Sequence, residues 1–270
     1  MKNYLVWDFD GTLGYRLGGW TGALLEVMHR EAPACDVTAD QLRPHLQAGF
    51  PWHTPEQPHP AMTSAEQWWN VLDPVFVRAF TATGIDAQRA QQMATQVRQV
   101  YPLATHWRLF DDALPTLDRL STQGWTHVIL SNHVPELPAI IHHLHIGPYI
   151  SHIFNSAETG YEKPHLQAFR HMLAALGDIA AVWMIGDSLQ ADIVGATRAG
   201  IPAILVRASR SEVHYCCAEL SQVADILRRA GEEGCHREGE RDPSIVVGWP
   251  TATHRCSGHA HARCTRVNRR

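Results

Sequence analysis

The sequence has very little lysine. Of the 23 Lys and Arg residues in this chain of 270, only Lys2 and Lys163 are lysine. A general bias towards arginine explains the scarcity, but it does not explain why one interior lysine is kept. Because a planar guanidinium does not replace a compact ammonium group in a tight phosphate site, Lys163 is a candidate functional residue.

Three other absences limit the class of protein. The net charge is only −4, so the chain has no overall basic field for binding nucleic acid. No apolar run approaches the roughly 18 residues that span a bilayer, and an acidic pair near residue 10 interrupts any signal peptide. The six cysteines show no secreted disulfide pattern. We expect a cytoplasmic protein that binds neither nucleic acid nor membrane, and the oligomeric state stays open.

The order of apolar patterns predicts an α/β fold. Segment 3–9 is a short buried strand, and from residue 111 onward predicted helices and strands alternate, which is typical of βαβ units in a parallel sheet. Segment 15–107 has helical periodicity and no strand signal, so it is an insertion between the first strand and the rest. The predicted parts are a core of residues 1–14 and 108–230, a helical insertion of residues 15–107 and a disordered tail of residues 231–270.

The tail contains several thiol and imidazole groups that could bind zinc. Their spacing fits no closed CxxC pairing, so we favour a disordered segment with incidental metal affinity. These residues are Cys235, His236, His254, Cys256, His259, His261 and Cys264.

Polar clusters follow the predicted strands, and parallel sheets bind ligands at the carboxyl ends of their strands. Carboxylates of this kind suit Mg²⁺, and backbone N–H groups beside a serine hydroxyl suit phosphoryl oxygens. Lys163 and the metal would offset the phosphate charge. The clusters contain Asp8, Asp10, Gly11, Thr12, Ser131, Asn132, Lys163, Asp187 and Asp192.

Four of these clusters, in order, resemble the motifs of the haloacid dehalogenase-like hydrolase superfamily. They read DFDGT from Asp8, SN from Ser131, EKP from Glu162 and GDSLQAD from Gly186. The resemblance covers about residues 2–230. It implies a Rossmann-like parallel-sheet core, with the insertion as an α-helical cap domain.

The resemblance also implies roles for the motif residues. Asp8 would be the nucleophile that attacks phosphorus, and Asp10 would protonate the leaving oxygen and then deprotonate water. Mg²⁺ would be held by Asp8, the backbone carbonyl of Asp10, and Asp187. Asp192 would either reach the metal through water or orient Lys163, and both roles stay open.

The expected function is hydrolysis of a small phosphate monoester. The resemblance implies that Asp10 favours phosphate esters over halides, because the dehalogenating members of the superfamily carry a different residue at this position. It also implies that phosphonate cleavage needs a lysine in the cap for a Schiff base, and segment 15–107 contains none. The alternatives are a phosphomutase acting on a sugar phosphate and a non-catalytic binding protein on the same fold.

Candidate substrate contacts also lie in the insertion. Arg16 is a predicted phosphate-binding residue because it follows the nucleophile strand closely, in a glycine-rich loop with Trp20. Trp52 and His53 are further candidates. The pair Trp68 and Trp69 has helical spacing, which favours packing over binding.

Overall fold

A five-stranded parallel sheet forms the centre of the computed structural model, which describes residues 1–62, 64–210 and 212–238. The strands in chain order are β1 (Lys2–Trp7), β2 (Gly14–Arg16), β3 (Trp107–Leu109), β4 (Trp125–Ser131), β5 (Ile150–Asn155), β6 (Ile179–Gly186) and β7 (Ala203–Leu205). The sheet order is β5-β4-β1-β6-β7, so β1 lies between β4 and β6, with Trp7 beside both Ile129 and Ile185. The predicted α/β class is confirmed.

Helices occupy the connections and the inserted segment. They are α1 (Gly19–Glu31), α2 (Ala39–Leu42), α3 (Ala65–Ala82), α4 (Ala87–Val100), α5 (Ala113–Thr122), α6 (Leu137–His143), α7 (Ser156–Thr159), α8 (Leu166–Leu176), α9 (Gly195–Arg198) and α10 (Val223–Glu238). A π-helical segment, Leu189–Val194, leads into α9. None of the helices in the described ranges is long and apolar enough to cross a membrane.

Alternate residues of β1 face opposite sides of the sheet, as the twofold period of a strand requires. Leu5 and Trp7 belong to one hydrophobic core, whereas Tyr4 and Val6 belong to the other. The first core is continuous with the rings of α3, so the inserted helices and one face of the sheet share an apolar interior. Trp68 and Trp69 are buried in it, as their spacing predicted.

Two details of the sequence prediction were wrong. The inserted segment is not free of strands at its ends, because β2 and β3 form an antiparallel pair. With three residues each, these strands are too short to show alternation. The last helix, α10, also continues through residues 231–238, which were predicted to belong to the tail. The rest of that predicted tail, residues 239–270, lies outside the described residues.

Candidate active site

The carboxyl ends of β1, β4 and β6 bring the predicted motif residues together. Asp8 follows β1, and its Oδ1 accepts hydrogen bonds from Ser131 Oγ at 2.8 Å and from Lys163 Nζ at 2.8 Å. Asp187 follows β6 on the other side of β1. We call the group Asp8, Asp10, Ser131, Lys163, Asp187 and Asp192 the polar floor.

Lys163 is buried between two carboxylates. Its Nζ donates to Asp192 Oδ1 at 2.6 Å as well as to Asp8, and only 2% of its side chain is exposed. Burial alone would lower the pKa of Lys163, but Asp192 and Asp8 outweigh it and raise the pKa above its usual value. Lys163 is therefore a fixed cation. Asp192, whose Oδ2 also accepts from the Ser188 N–H at 3.0 Å, orients it.

Asn132 holds the loop that carries Lys163. Its side-chain amide donates to the Lys163 carbonyl at 2.9 Å, and its oxygen accepts from the Lys163 N–H at 2.7 Å. This reciprocal pair fixes the backbone on both sides of one residue. Asn132 thus supports the lysine, in addition to any contact with a ligand.

The turn after β1 fits closely against Asp187. Thr12 Oγ1 donates to Asp187 Oδ1 at 3.1 Å. Gly11 has φ +91°, and a Cβ there would lie 2.6 Å from Asp187 Oδ2. A side chain at position 11 would therefore displace the carboxylate, which explains the glycine of the first motif.

Asp10 opens onto the cavity above the floor. Desolvation by the surrounding protein, followed by the charges of Asp8 and Asp187, raises its pKa to about 7. Arg16 opposes this shift through its positive charge. A carboxyl group with a pKa near neutrality can both donate and accept a proton at working pH.

The floor fits a divalent cation. Oxygen atoms of Asp8, Asp187 and Asp192 lie within 4.8 Å of one another. Desolvation and the charge of Asp8 raise the pKa of Asp187 to about 6, as expected for crowded carboxylates without enough positive charge. Both carboxylate oxygens of Asp192 already accept hydrogen bonds, whereas the side-chain donors to Asp8 within the described ranges all act on Oδ1. Asp8 and Asp187 are therefore the better placed carboxylate ligands. The Asp10 carboxylate is not part of this group, and a role of the Asp10 backbone carbonyl as a ligand stays a prediction.

A cavity of about 670 Å³ lies between the floor and the inserted segment. Its far side consists of aromatic rings, which we call the aromatic wall: Trp20, Phe50, Trp52 and Tyr101. Trp20 stacks on Tyr101 with ring centroids 3.5 Å apart, and Phe50 stacks on Trp52 at 4.8 Å. The predicted candidates Trp20, Trp52 and His53 all line this cavity.

Arg16 does not join them. It is 5% exposed, and its guanidinium donates to the backbone carbonyls of Tyr101, Leu17, Gly19 and Val100. It thereby ties β2 to the end of α4. The prediction placed Arg16 near the phosphate because of its proximity in sequence, whereas the side chain points into the packing between these elements.

Three further residues near the floor belong to none of the four motifs, and the prediction from the sequence missed them. His133 lines the cavity, and it sits beside the SN motif. His59, from the inserted segment, contacts Glu162 of the EKP motif through Nε2 and Oε1, 3.0 Å apart in a buried site. Arg207 donates to the Thr12 carbonyl and binds Asp112 through two hydrogen bonds of 2.6 and 2.9 Å. Of the three, only His59 could have been anticipated. Glu162 stands in a motif, and a buried acid needs a partner.

Comparison with known proteins establishes the family. A family model described as haloacid dehalogenase-like hydrolase matches residues 3–200. The chain belongs to this family. The resemblance found in the four motifs is thus confirmed, and so is the expected class of hydrolase.

Individual relatives are distant. "Haloacid dehalogenase-like hydrolase domain-containing protein 3" of Xenopus laevis is 29% identical over 53% of this chain and 58% of its own length. The ribulose-1,5-bisphosphate 5-phosphatase of Halopiger xanaduensis is 36% identical over 36% of this chain and 41% of its own. The chain thus spans about half the length of these two curated relatives. The structure of the family hydrolase YfnB from Bacillus subtilis, bound to magnesium, has a TM-score of 0.62 at 20% identity, over 84% of this chain and 98% of that one. At this identity it shows the fold alone.

Proposed function

We propose that the protein hydrolyses small phosphate monoesters with Mg²⁺, through an aspartyl-phosphate at Asp8. The observation that carries the proposal is the environment of Asp8. Within the described ranges, both side-chain donors to this carboxylate, Ser131 and Lys163, act on Oδ1, so Oδ2 stays available for attack on phosphorus. The phosphatase name of one relative and the magnesium in one structural neighbour support the proposal.

The first step forms a bond from an Asp8 carboxylate oxygen to phosphorus and breaks the ester P–O bond. Asp10 gives its proton to the departing ester oxygen, which leaves as an alcohol. Lys163 offsets the negative charge of the phosphoryl group, and Ser131 fixes the nucleophile. Asp8 and Asp187 would hold the Mg²⁺, which when bound offsets charge on the phosphoryl oxygens.

In the second step, water attacks the phosphorus of the aspartyl-phosphate while Asp10 accepts one of its protons. The P–O bond to Asp8 breaks, which releases inorganic phosphate and restores the carboxylate. Asp10 thus ends the cycle protonated, as it began. A pKa of about 7 suits both of its tasks.

We further propose that residues 1–14 and 108–230 form the catalytic core and residues 15–107 a helical cap. The core supplies the polar floor, and the cap supplies the aromatic wall. Closure of the cap would exclude water from the first step.

The test is phosphate release from 4-nitrophenyl phosphate by the full chain, with Mg²⁺ and with excess chelator. We expect activity only with the metal, and Asp8→Asn should lower kcat by roughly three orders of magnitude or more. Asp178→Asn, at an exposed aspartate outside the floor, is the matched control. Full activity in Asp8→Asn would contradict the assignment of the nucleophile.

A further inference from the structure

The cavity is larger than a two- or three-carbon phosphate ester needs. A volume of about 670 Å³ lies well inside the range of roughly 300–1,000 Å³ that holds drug-sized ligands. The phosphate group occupies only the part next to the polar floor. The remaining space therefore takes the organic part of the substrate.

This remaining space faces aromatic rings. Trp20 and Trp52 are partly exposed, so part of each ring is open to a ligand, and their centroids lie 6.2 Å apart. The stacking of Trp20 on Tyr101 and of Phe50 on Trp52 holds both rings in place. Preorganised rings bind another ring through offset or edge-to-face packing, without an ordering cost in the wall.

The lining of the cavity offers little positive charge to a second anionic group on the substrate. It contains the carboxylates of the floor, and among the described lining residues the one lysine or arginine is Lys163, which already binds Asp8 and Asp192. Burial lowers the pKa of His53, and it lowers that of His133 to about 4, so both imidazoles favour the neutral form at pH 7. Arg16 is buried with its donors on backbone carbonyls. A second anionic group on the substrate would find no free cation.

We propose that the cavity selects phosphate monoesters whose organic part is an uncharged planar ring, and that it disfavours esters carrying a second anionic group. This specificity rests on the proposed phosphatase function. Trp20 and Trp52 recognise the ring. Esters with a second anionic group are disfavoured because no lysine or arginine among the described lining residues is free to bind that group.

The first experiment compares kcat/KM of the full chain with Mg²⁺ for benzyl phosphate, 4-carboxybenzyl phosphate and ethyl phosphate. All three are esters of primary alcohols, so differences report mainly on recognition. Benzyl phosphate should exceed ethyl phosphate about tenfold, the upper end of what one aromatic contact supplies. It should also exceed 4-carboxybenzyl phosphate, which has the same ring but adds an anionic group that finds no free cation. Equal or higher values for the ethyl or the carboxylated ester would overturn the proposal.

Variants test the two parts of the inference separately. Trp52→Leu should reduce the benzyl-to-ethyl ratio about fivefold, whereas Trp183→Leu, at a partly buried tryptophan outside the cavity, should leave the ratio unchanged. Leu46 lines the cavity, and Leu46→Arg should raise the carboxybenzyl-to-benzyl ratio, with Leu46→Met as control. An unchanged benzyl-to-ethyl ratio in Trp52→Leu would contradict ring recognition. An unchanged carboxybenzyl-to-benzyl ratio in Leu46→Arg would contradict the charge argument.

Binding of non-hydrolysable phosphonates separates failure of this inference from failure of the proposed function. Calorimetry with Mg²⁺ should show tighter binding of benzylphosphonate than of ethylphosphonate. If this difference appears while no ester is hydrolysed, the ring preference stands and the phosphatase proposal fails. If esters are hydrolysed but the two phosphonates bind equally, the ring preference is refuted.

Discussion

The polar floor and the aromatic wall enclose the same cavity, but different forces fix them. In the floor, Asp8, Ser131, Lys163 and Asp192 are joined by hydrogen bonds of 2.6 to 2.8 Å, which fix the direction of each of these contacts. In the wall, rings pack at centroid distances of 3.5 to 6.2 Å without directional bonds. A buried charge network fails when one partner is moved, whereas an apolar surface tolerates changes of similar volume. The floor should therefore be sensitive to conservative substitutions that the wall accepts.

After Asp8→Asn, the largest effect should come from another position of the floor, in the variant Lys163→Arg. The guanidinium keeps the charge but is larger than the ammonium group, and it cannot place one nitrogen between Asp8 and Asp192 at the same distances. We expect kcat on 4-nitrophenyl phosphate to fall roughly 10²-fold, the effect of losing one preorganised donor.

The matched control is Lys2→Arg, because Lys2 is the other lysine of the sequence and it is exposed. It should retain normal activity. If Lys163→Arg were as active as this control, the floor would not be more sensitive to conservative substitutions than the wall.

The next effect concerns His133, which lines the same cavity. Its ring packs 5.5 Å from Phe9 and 5.0 Å from Trp107. Burial lowers its pKa from 6.5 to about 4. Between pH 6.5 and pH 4, the imidazole is therefore protonated in the unfolded chain but neutral in the folded protein. The free energy of unfolding should fall by up to about 3 kcal/mol as the pH drops from 6.5 to 4, through His133 alone.

Urea unfolding at several pH values between 7 and 4 measures this decline. His127, whose pKa is also lowered to about 4 by burial, adds a similar contribution. Asp10 and Asp187, whose pKa values are raised to about 7 and about 6, contribute in the opposite direction, because the folded protein binds these protons more tightly than the unfolded chain does. Relative to the unaltered chain, His133→Phe should therefore lose up to about 3 kcal/mol less stability between pH 6.5 and 4, whereas His143→Phe, at an exposed histidine, should show no such difference. An unaltered decline in His133→Phe would show that the imidazole is not buried in its neutral form.

A smaller effect should follow from cutting the contact between the inserted segment and the EKP loop. His59→Leu leaves Glu162 buried without this partner, which should lower the free energy of unfolding by about 2 kcal/mol. Chemical denaturation of the variant measures the loss.

The double variant His59→Leu/Glu162→Leu is the control. It should be more stable than the single variant, because it removes the unpaired acid along with its partner. A double variant that loses the sum of both single effects would show that the contact stabilises nothing.

The sequence predicted the floor much better than the wall. Asp8, Ser131 and Asp187 lie at or directly after the end of an apolar strand, each in a short motif, and parallel strands bring such positions to one edge. The wall has no motif. Trp52 faces the cavity while Trp68 is buried. Only the packing of the inserted helices decides which tryptophan lines the cavity and which is buried.

Arg16 shows the limit of reasoning from proximity along the chain. It follows Asp10 closely, but β2 turns its side chain towards the carbonyls at the end of α4. Local spacing does not carry that information, since the partners Val100 and Tyr101 lie more than 80 residues away. Tyr101 was not predicted as a member of the wall for the same reason, since it lies far along the chain from Trp20, its stacking partner.

The antiparallel pair of β2 and β3 fixes where the inserted segment begins and ends. Gly14 lies opposite Leu109 and Arg16 opposite Trp107, so the chain leaves and returns at one place. The stretch between them can be lengthened, shortened or replaced while its ends stay side by side. In evolutionary terms, a change in one continuous piece of the gene can exchange the aromatic wall, and the residues of the polar floor, encoded on either side, stay untouched.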